Sequence, residues 1–151
     1  MRALLQHVSH CSIRTESGHG TEINHGLLVF IGINDTDKQA DIHYIVDKML
    51  ALRIFEDEEG KLNKSISDVE GDLLLVSQFT LYGDTRKGRR PSFNKAAQPK
   101  DAHPLFRYLM DYAQSRYTLG RVEEGRFQEH MVIKPILQGP ISILLDSEKK
   151  L

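Results

Sequence analysis

Gly71-Asp-Leu-Leu-Leu-Val-Ser-Gln-Phe-Thr-Leu-Tyr82 runs directly into Gly83-Asp-Thr-Arg-Lys-Gly-Arg-Arg-Pro-Ser-Phe93. Leu73 to Val76 is an unbroken apolar run of strand-forming residues that gives way, with no turn residue between, to polar Ser77 and Gln78. That pattern fits a buried strand delivering polar groups to a cleft. Arg86, Lys87, Arg89 and Arg90 follow on a segment where Gly88 and Pro91 forbid a regular element, so a cationic loop suited to phosphate adjoins the strand end.

Outward from this stretch, Arg2 to Arg14 alternates loosely, with Ala3, Leu5, Val8, Cys11 and Ile13 apolar, and reads as one long strand. A phase slip near His7 or Ser9 suggests a bulge in it. Glu16 to Gly20 is a turn, Thr21 to Ile23 a short strand piece, and Gly26 to Ile33 a continuous apolar run fit for a central strand. Thr36 and Gln39 have capping-box spacing, predicting a helix from there to about Arg53. The acidic turn Glu56 to Gly60 reads as a hairpin tip, with Lys61 to Ile66 returning as a strand. Beyond the basic loop, Asp101 reads as a cap and Pro104 as a first-turn proline of a second amphipathic helix ending near Gly120. Two strand-like runs close the chain, His130 to Leu137 and Ile141 to Leu145, separated by Gln138-Gly139-Pro140. The sum is an α+β domain: a mixed, barrel-like sheet with two main helices.

The chain has 151 residues, near the usual size of one domain, so residues 1–151 are expected to form a single unit. A formal net charge of -1 confines any affinity for nucleic acid to a local patch, and Arg86 to Arg90 is the densest candidate. Cys11 is the single cysteine, which excludes an intrachain disulfide and suggests a reducing compartment, hence the cytoplasm. No signal-like or membrane-spanning run is visible.

Ser77 and Thr80 carry hydroxyls at the strand end, but their sequence neighbours supply amide and aromatic groups, not a histidine–carboxylate pair. The alternative is an oxyanion hole from backbone amides around Gln78 and Phe79. His7, His10, His19 and His25 lack the spacing of a dedicated metal site, so no metal or cofactor is expected. Gly139-Pro140, between two strand-like runs, suits a constrained peptide whose carbonyls point away from a ladder. Phe127 and Met131 are core residues by default, or a stacking surface for a base near the site.

Taken together, Met1 to Gln6, Gly26-Leu-Leu-Val29, Ser77-Gln-Phe-Thr-Leu-Tyr82, Asp84 to Phe93 and Gly139-Pro140 resemble the D-aminoacyl-tRNA deacylases, and the likeness spans essentially the whole chain. The resemblance implies hydrolysis of D-aminoacyl-tRNA, and of mischarged glycyl-tRNA, by a homodimer whose active site lies at the subunit interface. It implies that Gly139 and Pro140 of one subunit enter the pocket of the other and exclude L side chains. It further implies that Ser77, Gln78, Phe79 and Thr80 meet the ester, with main-chain groups stabilising the transition state and the ribose 2′-hydroxyl helping to activate water. Phe127 and Met131 match positions of the adenosine pocket, while Arg86, Lys87, Arg89 and Arg90 would contact tRNA phosphates.

Three departures from the family pattern stand out. His7 replaces an arginine that braces the Gly-Pro peptide, and cannot reproduce its guanidinium fork, so cis and trans Gly139-Pro140 both remain open. Gln128 stands where a glycine usually follows the aromatic, and Gln138 and Ile141-Ser142 flank Gly-Pro in place of Asp and Val-Thr. Two rival expectations follow: a deacylase relaxed toward small L-residues, or a tRNA-binding module without activity.

Overall fold

The computed structural model describes residues 1–150. β6 (Asp72–Ser77) is the strand anticipated at Leu73 to Val76, buried along that run and paired in parallel with β3 (Gly26–Gly32) from Gly26 opposite Asp72 to Ile31 opposite Ser77. β1 (Arg2–Thr15) lies antiparallel to β3 through its first half and to the short β2 (Gly20–Ile23) through its second. Its other edge is covered along the full length by β8 (Met131–Asp146). β7 (Val122–Glu124) extends the sheet in parallel beyond β6. The mixed sheet curls until β2 and β7 meet, where the Thr21 hydroxyl donates to Glu123 Oε2 at 3.0 Å.

One face of the sheet is covered by α1 (Gln39–Ala51) and α2 (Pro99–Arg116), whose Ile45, Met49, Phe106 and Leu109 pack on Leu5, Val29 and Leu73. Inside the curl a second cluster forms from Val8, Ile13, Leu28, Leu74 and Val76 with Met131. Strands buried on both faces need apolar residues at every position, which is why β3 and β6 read as continuous runs. The α+β class, the mixed curled sheet and its two helices are therefore as the sequence indicates.

Several boundaries differ. α1 begins at Gln39 with Lys38 as its cap, and the Asp41 carboxylate accepts from the Lys38 amide at 2.8 Å. Thr36 is not free to cap, because its amide and hydroxyl both donate to Asn34 Oδ1. α2 starts at Pro99, so Pro99 takes the N-terminal position expected of Pro104, and Asp101 contributes charge to the first turn instead of a cap. The helix stops at Arg116, before Gly120. β7 is unanticipated. The acidic turn is a hairpin tip, between β4 (Phe55–Glu56) and β5 (Leu62–Lys64).

The last two strand-like runs are one strand. Both pair with β1, but between Leu137 and Ser142 β8 advances five residues while β1 advances two, from Val8 back to Gln6. Four residues, Gln138 to Ile141, therefore stand where β1 has only His7, and they bulge out opposite it. A second irregularity falls between Val8 and His10, leaving Ser9 as the extra residue of β1.

Candidate active site

β6 ends at Ser77, and the Gln78 amide still reaches the sheet, donating to the Ile31 carbonyl at 2.7 Å. The chain then turns into one 3₁₀ turn, Phe79–Tyr82, closed by Leu81 N–H to the Gln78 carbonyl at 3.3 Å and Gly83 N–H to Thr80 at 3.0 Å. The first amides of any such turn lack internal acceptors. Those of Phe79 and Thr80 accordingly have no partner among the described residues.

A cavity of about 540 Å³ opens at this point. Ser77, Gln78 and Phe79 form its floor of polar main chain, while Phe127 and Met131 form apolar walls. Thr80 is exposed and outside the lining. Phe79 meets Phe93 edge-on at 5.1 Å between centroids, and Phe127 is backed by His103 and Phe106 at 4.8 and 6.1 Å. The Arg126 amide donates to Met131 Sδ at 3.3 Å, fixing the thioether end against the wall. Phe93, Gln98 and His130 also line the cavity; Phe93 and Gln98 sit on a stretch without regular periodicity, and His130 opens a strand-like run whose pattern marks no site. Gln128, in the place of the customary glycine, has φ +60°, a conformation that favours glycine, so its side chain enters the lining at a backbone position shaped for none.

No nucleophile–base pair is assembled here. Neither Ser77 nor Thr80 hydroxyl has a hydrogen-bond partner among the described residues, and among those residues no three His, Cys, Asp or Glu side chains converge as metal ligands. The Phe79 amide is the main-chain donor of the floor left without a partner among the described residues.

Gly139 and Pro140 are joined by a cis peptide and sit exposed on the β8 bulge, outside the lining of their own chain's cavity. Opposite them, His7 is buried, its Nε2 3.0 Å from His25 Nε2 and its ring edge-on to Phe55 at 4.5 Å. Burial first, and then the charge of His25, holds the His7 pKa below its ordinary value, with Glu56 opposing. The folded protein therefore keeps His7 neutral, and the stability this contributes is complete above the ordinary histidine pKa of about 6.5 and lost as pH falls through the lower folded value. Urea midpoints are expected to fall from pH 7 to pH 5 more steeply in the wild type than in His7→Phe. Equal slopes would assign the acid sensitivity to other groups.

In the basic loop, Arg86 is not a free cation. Its Nε and Nη2 bind Asp84 at 2.9 and 2.6 Å, and this holds the Asp84 carboxyl well below the usual range. Reciprocal bonds between Asp84 and Ser92, 2.7 and 2.9 Å, pinch the loop at its base, leaving Lys87, Arg89 and Arg90 exposed at its tip.

The curled mixed sheet with its two helices recurs in solved structures. A solved structure described as a probable eukaryotic D-amino acid tRNA deacylase shares the fold, with a TM-score of 0.80 at 20% identity over 95% of this chain and 97% of that one. The structure of the c-Myc DNA unwinding element binding protein is closer, at TM-score 0.90 and 32% identity over 97% and 98% of the two chains. The model of the D-Tyr-tRNA(Tyr) deacylase family matches residues 4–146. D-aminoacyl-tRNA deacylases from Syntrophomonas wolfei and Clostridioides difficile are 49% and 47% identical over 149 and 150 residues, with 99% of each chain covered. The chain belongs to the D-Tyr-tRNA(Tyr) deacylase family.

Proposed function

We propose that the cavity at the end of β6 receives the terminal aminoacyl-adenosine of tRNA, and that main-chain donors, not a protein nucleophile, promote cleavage. Like its family, the protein is a hydrolase acting on the ester bond of D-aminoacyl-tRNA, a proofreading step in translation. The observation that carries the mechanism is the unengaged Phe79 amide beside an unassisted Ser77 in the cavity lining. Water attacks the ester carbonyl carbon, and the resulting oxyanion is met by the Phe79 amide. Collapse breaks the bond to the ribose oxygen, which takes up a proton, giving free amino acid and tRNA. With no base in the floor, the neighbouring ribose hydroxyl serves to orient and activate the water. Ser77 and Gln78 position the ester, and Phe127 and Met131 hold the adenine between apolar surfaces.

Gly139 and Pro140 lie outside their own cavity, which supports the reading that they act in that of a second subunit. Two features of β8 support a homodimer: its outer edge has no strand partner among the described residues, and Val132, Ile136, Leu137 and Leu144 along it are about half exposed. In the proposed dimer a twofold pairing involving β8 would bring each bulge to the partner's cavity. The bulge's carbonyls bind the substrate amino group, leaving room for a hydrogen or a D side chain but not an L side chain, so glycyl-tRNA is also a substrate. His7 supports the bulge from behind, and Lys87, Arg89 and Arg90 meet tRNA phosphates. Among the described residues no helix is long and apolar enough to cross a membrane. The chain works as one domain, in the cytoplasm where its substrate is made.

Purified protein should release tyrosine from D-tyrosyl-tRNA at least about 100-fold faster than from L-tyrosyl-tRNA, because a clash at the reacting centre misplaces the ester. Equal turnover of both, or of neither, sinks the proposal.

A further inference from the structure

A second, smaller cavity of about 320 Å³ lies against the other end of the 3₁₀ turn, lined by Arg2, Tyr82, Gly83, Asp84, Thr85, Arg86 and Lys95. Its lining carries three cations and one carboxylate. That carboxylate, Asp84, is already bound by Arg86 through two hydrogen bonds, so Arg2 and Lys95, the latter acting on Asp84 only at longer range, are left without a direct partner of opposite charge. Among the described residues neither of them forms an ion pair.

Arg2 is held in place rather than loosely solvated. Its Nη1 donates to the Leu81 carbonyl at 3.0 Å, its guanidinium lies over the Tyr82 ring at 4.7 Å, and its buried Nε has no acceptor among the described residues. A guanidinium fixed on a carbonyl and a ring face keeps donor capacity at little further entropic cost and matches the paired oxygens of a phosphate. Lys95 adds an exposed point charge.

Location narrows the ligand. Phe79 lines the larger cavity and Tyr82 the smaller, and the two residues are one turn apart, a rise of about 6 Å. Lys95 and Ala96, adjacent in sequence, likewise divide between the two cavities. Arg86 joins the smaller cavity to the exposed Lys87, Arg89 and Arg90. A strand of nucleic acid whose last nucleoside fills the larger cavity thus has a fixed cationic recess within one nucleotide's reach, before the exposed surface charges begin.

We propose that this recess binds a backbone phosphate of the single-stranded 3′ end of tRNA, through Arg2 and Lys95, next to the aminoacylated nucleoside. The inference rests on the larger cavity taking that nucleoside. Hydrolysis is to be compared on three D-tyrosyl esters: full tRNA, adenosine, and adenosine 5′-monophosphate, in the wild type, Lys95→Gln and Arg2→Gln. Lys95→Gln should lower kcat/KM about tenfold on the tRNA and the nucleotide ester and leave the adenosine ester unchanged, as expected for loss of one charge-assisted contact. Equal loss on all three esters, or on none, overturns the phosphate site while leaving the larger cavity's role intact.

Wild-type protein that cleaves the tRNA but neither short ester overturns the reading of the larger cavity, a distinct result. Inhibition supplies a measurement independent of substitution: adenosine 5′-monophosphate should inhibit the wild type about tenfold more strongly than adenosine. Inorganic phosphate inhibiting as well as the nucleotide points to a free-anion site and overturns the assignment to the tRNA backbone.

Discussion

Gly26→Ala is expected to lower the melting temperature by about 10 °C or more, or to leave the protein insoluble, the largest loss of stability of any single methyl added to this chain. A Cβ at Gly26 would overlap the Asp72 carbonyl oxygen and stand 2.6 Å from the Asp72 amide nitrogen. Both are backbone atoms of the β3–β6 pair, so the only relief is to pull two central strands apart. Asp72 cannot retreat easily, because its amide donates to the His25 carbonyl at 2.9 Å and its carboxylate accepts from the Asn24 amide and from Arg121. Forced separation of a core pair belongs with the exceptional substitutions that cost more than about 4 kcal/mol. A thermal melt within about 2 °C of the wild type would show that the strands are not held as tightly as their hydrogen bonds indicate.

The second large effect is on activity. Gly139→Ala should fold normally, lose only a few degrees of melting temperature, and deacylate D-tyrosyl-tRNA about 100-fold more slowly. Gly139 has φ +107°, where an L side chain is strained, and a Cβ there would lie 2.7 Å from Ile141 Cγ1 and 2.9 Å from the Ile141 amide nitrogen. The bulge must shift to accommodate it. Since the bulge is exposed, that shift barely disturbs the core, but under the proposed arrangement it moves the carbonyls that hold the substrate amino group. Steady-state kinetics alongside a melting curve separate the two consequences. Unchanged kinetics would remove the bulge from the active site.

What could be read from the sequence was set by how burial writes itself into composition. β3 and β6 are apolar at nearly every position because both of their faces are covered, and they announce themselves. β7 is Val122-Glu123-Glu124, half-buried, with its carboxylates engaged by Thr21 and Arg107, so nothing in its composition marks a strand. The start of α1 was displaced because Asn34 occupies Thr36, a competition between side chains that spacing alone cannot register. That of α2 was displaced because two prolines, Pro99 and Pro104, both fit a first turn, and only the packing of Ala102 and Phe106 on the sheet decides between them.

At the site, the strand end and its amide-rich floor were legible, as were the aromatic and thioether walls at Phe127 and Met131. Thr80 was grouped with Ser77 by proximity in sequence, but the 3₁₀ turn rotates its side chain away from the lining. Arg86 was counted with its basic neighbours, whereas Asp84, two residues before it, had already claimed its charge. Arg2 and Lys95 could not be associated with each other at all, since they are brought together only by the pairing of β1 and the closure of the basic loop.

The bulge in β8 leaves the ladder and returns to it on the same neighbour, so both of its feet are fastened to β1. Such a protrusion is unlike a lid. Its ends are fixed by bonds the sheet forms in any case, so little loop-closure entropy is added by holding it in place. Under the proposed arrangement, stereochemical discrimination by a structure so fastened would be that of a fixed gauge, its tolerance cut into the sheet's register.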